Sequence, residues 1–216
     1  MTTHRFEPTT WSNVLGTQPP RLTIASGDIV ITETIDAGGG DRNGISRTHG
    51  PNPMNGPIAV EYAEPGDTLK VEILRMTPVS PLGWTISAVA GNAVEPEFVR
   101  LLPARNRVNW LIDRQGLTAR LENPVPGIEH LVLPLEPMIG CFGVAPSLGQ
   151  AISTATSGEH GGNMDYRLFT TGTTVWFPIS APGALFFVGD CHATQGDGEI
   201  VGTGIETCFE LELRLT

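Results

Sequence analysis

Apolar and polar residues alternate with period two along several short stretches of this chain, the spacing of a half-buried strand. The clearest cases are residues 28–35, 68–76 and 205–215. In the last, Phe209, Leu211, Leu213 and Leu215 fall on one side and Glu210, Glu212 and Arg214 on the other. Shorter β-branched or apolar runs at 58–61, 116–121, 130–133, 173–179 and 184–188 read as further strands. No amphipathic window exceeds about three helical turns, so a mainly β sandwich or barrel with few short helices is expected. Two segments, 94–102 (cut by Pro96) and 147–153, are the expected short helices. Shallow boundaries near 79–83 and 136–140 set off an inserted β lobe, about 80–136, within a single unit spanning 1–216.

Composition sharpens this picture. The 26 glycines and 18 prolines are spread along the whole chain, punctuating it into many turns. With 216 residues and 40% apolar content the chain can bury a real core. Its apolar runs are far shorter than the roughly 20 residues of a bilayer span. A net charge of −10 disfavours nucleic acid, which is bound through Lys and Arg on phosphates. Three cysteines (Cys141, Cys191, Cys208) without CxxC spacing suit neither a disulfide framework nor a thiolate zinc knuckle. No basic-then-apolar leader opens the chain, so a cytoplasmic location is expected.

Groups able to do chemistry concentrate in four places. Asp36 precedes the glycine run Gly38-Gly39-Gly40, at the end of an expected strand. His49 sits in a Pro/Gly-rich loop. His160, Asn163 and Asp165 fall within six positions beside Gly161 and Gly162, whose backbone can approach a ligand closely. The densest segment is Gly189-Asp190-Cys191-His192-Ala193-Thr194-Gln195-Gly196-Asp197-Gly198-Glu199. If Asp190 to His192 stays extended, both side chains project to one face, a workable imidazole and carboxylate pair for zinc. Cys191 then faces the other way, into packing. Asp197 and Glu199 repeat the two-residue spacing.

The segments His160-Gly161-Gly162-Asn163-Met164-Asp165 and Gly189–Glu199 together resemble the acetamidase/formamidase family. Similar stretches run in order from about residue 20 onward, among them residues 56–67, Pro137-Met138-Ile139-Gly140, Gly143-Val144-Ala145-Pro146 and Gly202-Thr203-Gly204-Ile205-Glu206. The resemblance implies hydrolysis of formamide, acetamide or related short amides to acid and ammonia, with a bound divalent metal, zinc first and calcium second. It implies Asp36, Asp190 and His192 as metal ligands and Asp165, Glu199, His160, Asn163 and Gln195 as the catalytic set. Asn163, Gln195, Asp197 and His49 would contact the substrate. A lactam hydrolase using the same site, or a non-catalytic metal- or ligand-binding β domain, are the alternatives. Members of the family run longer than this chain, which implies either a compact variant or a site wall completed by a second subunit; a homo-oligomer is expected, and no nucleic-acid or membrane partner is.

Overall fold

The computed structural model describes residues 1–216. The strands are, in chain order, β1 (Thr3–Phe6), β2 (Val14–Gly16), β3 (Leu22–Ile24), β4 (Asp28–Glu33), β5 (Met54–Val60) and β6 (Thr68–Pro78). Then come β7 (Leu82–Ile86), β8 (Arg107–Asp113), β9 (Thr118–Leu121), β10 (Val132–Pro134), β11 (Met138–Gly143) and β12 (Ala151–Ser153). The last six are β13 (Ser157–Gly158), β14 (Gly161–Asn163), β15 (Thr174–Pro178), β16 (Phe186–His192), β17 (Glu206–Thr207) and β18 (Phe209–Leu215). Helical structure is confined to short 3-10 turns at Gly91–Ala93, Pro96–Leu101, Ser147–Gly149 and Asp197–Glu199.

Two sheets carry the architecture. The smaller has the order β1-β4-β18-β6-β15. Its central strand β18 buries alternate residues, as its sequence pattern requires: Phe209, Leu211, Leu213 and Leu215 face inward. Its outer face carries ion pairs, with Arg5 Nη2 2.8 Å from Glu210 and Arg75 Nε 3.2 Å from Glu212. Exposed pairs of this kind contribute little, whereas each fully buried Leu or Phe stabilises by about 1.5–3 kcal/mol. The inner face does the holding.

The larger sheet runs β10-β9-β8-β7-β17-β16-β11-β14-β13, with β5 also beside β16 and β3 beside β5. Its core strand β16 is buried at every position, because both its faces are covered. The facing sheets share one core in which Phe142, Phe186 and Val188 meet Val30, Leu69, Leu211 and Leu213. Phe142 stands edge-on to Phe169 and Phe177, with ring centroids 5.1 and 5.4 Å away. The mainly β expectation holds, as two sheets packed face to face.

Two sequence readings change. Residues 147–153 are not a helix: after the turn Ser147–Gly149 they form β12, which pairs with β2. The boundary at 136–140 is instead β11, in the middle of the large sheet; its glycines disguised a strand that needs them for close approach. The stretch 80–136 holds β7 to β10, which extend one end of the large sheet and carry a small cluster of their own, Trp110, Ile112, Ala119 and Leu121, packed on Ala193 and Ile205. No helix is long and apolar enough to cross a membrane.

Candidate active site

The site grows from an irregularity in β16. Along one edge this strand pairs with β5 as far as Gly189 and with β17 from Cys191 onward. Along the other, β11 pairs Cys141 with Gly189 and Ile139 with Cys191, skipping Gly140 and Asp190. Asp190 sits at this break with φ 49°, in the left-handed region. Asp165 (φ 42°) and Glu199 (φ 43°) share that conformation. Non-glycine residues held there cost of order 1 kcal/mol or more and gather at functional sites. Three strained acids converge on one point.

That point is the imidazole of His192. Its Nε2 lies 3.3 Å from Asp190 Oδ1 and 3.2 Å from Glu206 Oε2. Ligand atoms of Asp165, Asp190 and His192 lie within 4.8 Å of one another, as do those of His192, Glu199 and Glu206. On the far side of the ring, Nδ1 is 2.7 Å from Gln195 Oε1, while Gln195 Nε2 donates to the backbone carbonyl of Asp165 at 2.7 Å. A carbonyl only accepts, so Gln195 must turn its NH2 to Asp165 and its oxygen to the ring. Nδ1 therefore carries a proton, and in the neutral ring Nε2 presents a lone pair to two carboxylates. That contact is repulsive unless a cation, either a proton or a metal ion, lies between them.

The titration of these groups tells the same story. Burial pulls the His192 imidazole down, but the carboxylates of Glu206 and Asp190 together raise it well above its ordinary value. Burial, with Asp190 and Glu199 nearby, lifts Asp165 to about 8. Burial also raises Glu199, and raises Glu206 well above the carboxylate range. Two buried oxygens of the cluster, Asp165 Oδ1 and Glu206 Oε2, accept no hydrogen bond. Buried polar atoms are rarely left so.

Glycines make room for this crowding. A Cβ on Gly140 would fall 2.5 Å from Asp165 Oδ1 and 3.0 Å from Asp190 Oδ2. One on Gly204 would fall 2.5 Å from His192 Nδ1. Gly140→Ala is expected to destabilise the chain by about 1–3 kcal/mol through overpacking. The same substitution would displace both carboxylates. Denaturant unfolding checks the first effect, and an unchanged midpoint would contradict this reading of the crowding.

The expected site residues divide. Asn163, Asp165, Asp190, His192, Gln195 and Glu199 come together. Both amides, however, are committed within the protein: Asn163 Nδ2 donates to Asp165 Oδ2 at 2.5 Å, and Asn163 Oδ1 accepts from Asn52 Nδ2 at 2.6 Å. These bonds orient Asn163 and Gln195 toward their neighbours, and each amide keeps a second N–H and a second lone pair. Asp36 is not part of the cluster. Its carboxylate is occupied by the N–H groups of Gly38 and Gly40 (2.9 and 2.8 Å) and the Trp84 indole (3.0 Å), because the glycine run folds back over it. Asp197 points outward and pairs with Arg167 at 2.6 Å. His49 is exposed, and its carbonyl receives Asn13. His160 is buried in the β13–β14 hairpin against Gly158 and Gly162, outside the cluster, with its imidazole lowered by burial. Cys191 does face away, into the main core, and burial pushes its thiol up to about 12.

Glu206 is the site residue that sequence reading missed. It shares the parity of Glu210 and Glu212, which look outward. The available signal was Cys208, an apolar residue in that polar series, where the chain passes from β17 to β18 and the facing changes.

A cavity of about 420 Å³, lined by Gln195, Gly204, Thr194, Glu136, Trp110 and Thr85, adjoins the Gln195 side of the cluster. A larger one of about 570 Å³ runs along Arg5, Trp11, Thr34 and Asp41 and touches none of the cluster.

Comparison with known proteins meets this geometry. The acetamidase/formamidase family model matches residues 18–150 and 149–216. An acetamidase of Mycolicibacterium smegmatis is 30% identical over 202 residues, covering 68% of this chain and 48% of that protein. A formamidase of Methylophilus methylotrophus is 24% identical over 208 residues, covering 75% and 50%. The crystal structure of an acetamidase from Yersinia enterocolitica superposes with a TM-score of 0.82 at 31% identity, over 99% of this chain and 67% of that one. The chain thus spans about half the length of the curated relatives it matches. It belongs to the acetamidase/formamidase family.

Proposed function

We propose that the chain carries the site of a metal-dependent hydrolase that converts a small linear amide, of the formamide or acetamide type, to its acid and ammonia. The observation that carries this reading is the lone pair of His192 Nε2 set 3.2–3.3 Å from the Glu206 and Asp190 carboxylates. Ligands bound to zinc at about 2.0 Å in a tetrahedron stand roughly 3.3 Å apart. Glu206 Oε2, buried without a hydrogen-bond partner, also fits a cation. Imidazole among carboxylates favours zinc over calcium, which prefers oxygen throughout.

In this reading Asp190, His192 and Glu206 would hold the ion, and Gln195 would fix the His192 tautomer from behind. The bound ion supplies the Lewis acidity that makes amide hydrolysis feasible near neutral pH. The protein's own contribution is proton handling. Asp165 and Glu199 lie beside each other in the cluster, and burial among acids lifts Asp165 to about 8 in the metal-free chain, which suits it to carry a proton near neutral pH. Its Oδ1, free of hydrogen bonds, is placed to give that proton to the departing amine. Glu199 is its partner for accepting a proton from water.

Elemental analysis of the purified protein, with ammonia release measured on formamide, acetamide and a bicyclic lactam, tests the proposal. Bound zinc and turnover of the linear amides are expected. Turnover of the lactam alone would move the substrate class, and metal without turnover on any of the three would make this a binding domain. Turnover surviving complete chelation would overturn the metal role.

A further inference from the structure

We infer that Asn52, a loop residue with no hydrogen bond to the cluster's carboxylates or its imidazole, is a positioning residue that sets which way the Asn163 amide points and so keeps Asp165 Oδ1 available; this rests on the acid–base role proposed for Asp165.

The argument is one of hydrogen-bond polarity. An Asn side chain has a donor end and an acceptor end, and reversing it exchanges attraction for repulsion at both. Asn52 Nδ2 donates to the carbonyl of Thr154 at 3.2 Å as well as to Asn163 Oδ1. Since the Thr154 carbonyl can only accept, Asn52 must present its NH2 in that direction. Thr154 is itself fully buried and held by its hydroxyl on the carbonyls of Asn13 and Pro51, at 3.1 and 3.0 Å. Asn163 then has one compatible orientation, oxygen toward Asn52 and NH2 toward Asp165 Oδ2. That bond ties down one carboxylate oxygen and leaves the other facing the cluster.

The backbone of Asn52 is built for the task. Its φ of 41° lies in the left-handed region that Asn tolerates better than most residues. Its N–H donates to Ala37 at 3.0 Å, tying this loop to the Asp36 turn. The polarity therefore passes from Thr154 through Asn52 and Asn163 to Asp165.

Asn52→Asp keeps the shape and the tolerance of positive φ but replaces the donor by oxygen. Asn163 must then reverse and present its own oxygen to Asp165. Kinetics of ammonia release from acetamide should show kcat falling about 100-fold, the scale of a misplaced reacting group, with KM and Co²⁺ affinity within about threefold of wild type. Because Asn52 acts through Asn163, Asn52→Asp combined with Asn163→Ala should be no slower than Asn163→Ala alone. Independent effects that multiply, or an Asn52→Asp chain with unchanged kcat, would overturn the inference. Where Asn52→Asp does not fold, Asn52→Gly retains the backbone conformation and releases the Asn163 amide without reversing it, so a smaller fall in kcat is expected, again absent on the Asn163→Ala background; an unchanged kcat would overturn the inference.

A second readout does not depend on activity. In ¹⁵N-edited NMR one Asn163 side-chain NH2 proton should lie downfield, bonded to carboxylate, and should move in Asn52→Asp. A wild-type chain without amide turnover would overturn the proposed function. The positioning role would still stand or fall on that resonance.

Discussion

Substituting His192 with alanine is expected to abolish tight zinc binding and to lower amide turnover by at least about 100-fold. The second figure follows from several kcal/mol of metal-supplied stabilisation at about 1.4 kcal/mol per tenfold in rate. His192 is the one nitrogen ligand in the cluster, and its Nε2 is the atom around which Asp190 and Glu206 are arranged. Its loss also leaves four buried or half-buried acids with no positive partner, an arrangement that survives only if several hold protons. The variant should therefore be nearly as stable as wild type at pH 5 and distinctly less stable at pH 8. Zinc titration, ammonia release and thermal melts at the two pH values check this. A folded His192→Ala chain that still bound zinc and released ammonia at the wild-type rate would refute the assignment.

The second large effect concerns the metal-free wild-type chain, which should lose stability as pH rises. Asp165, raised from 3.8 to about 8, binds its proton more tightly when folded than when unfolded. Glu199, Glu206 and His192 are raised in the same sense. For every group shifted upward the folded state carries the extra protons between the unfolded and folded values. Stability is then greatest below the unfolded value and falls as pH climbs through the folded one. For Asp165 that window runs from about 4 to about 8. At about 2–4 °C per kcal/mol for a chain of this size, the melting temperature of chelated protein should drop by about 10 °C or more between pH 5 and pH 8.5. Zinc would replace the protons of its own ligands, His192 and Glu206, and its binding strengthens as they leave. The zinc-loaded chain should show a flatter profile over the same range. Parallel profiles with and without chelator would mean that no cation occupies the cluster.

Much of this molecule is legible in the sequence because much of it obeys a local rule. The alternation at 209–215 is strand β18; the side chains of Asp190 and His192 also meet, with Cys191 facing away, although Asp190 leaves the extended conformation on which that expectation rested. Other features escape such rules because their causes lie far off in the chain. Gly140 in β11 looked like a boundary, yet its missing side chain is what admits Asp165 and Asp190, 25 and 50 positions later. Asp36 resembled a ligand because a carboxylate before a glycine run is ambiguous: the same glycines that could bare a ligand wrapped their N–H groups around it. Glu206 and Asn52 enter through pairings across the sheet and across loops, and neither has a neighbour in sequence that announces it. Local pattern marks many of the strands. Which polar groups meet depends on register.

The place of β18 between β4 and β6 has a further consequence, in time. Both neighbours, Asp28–Glu33 and Thr68–Pro78, are synthesised long before Phe209–Leu215, which must insert between them. At 5–20 residues per second the ribosome needs roughly 7–26 s to pass from the end of β6 to the start of β18. Throughout that interval two long apolar-faced strands wait with open edges, the template that invites pairing with another chain. Slow translation or overexpression should therefore favour aggregation through β4 and β6, and a trigger-type holdase covering those edges during synthesis should raise the soluble yield more than any mutation in the site.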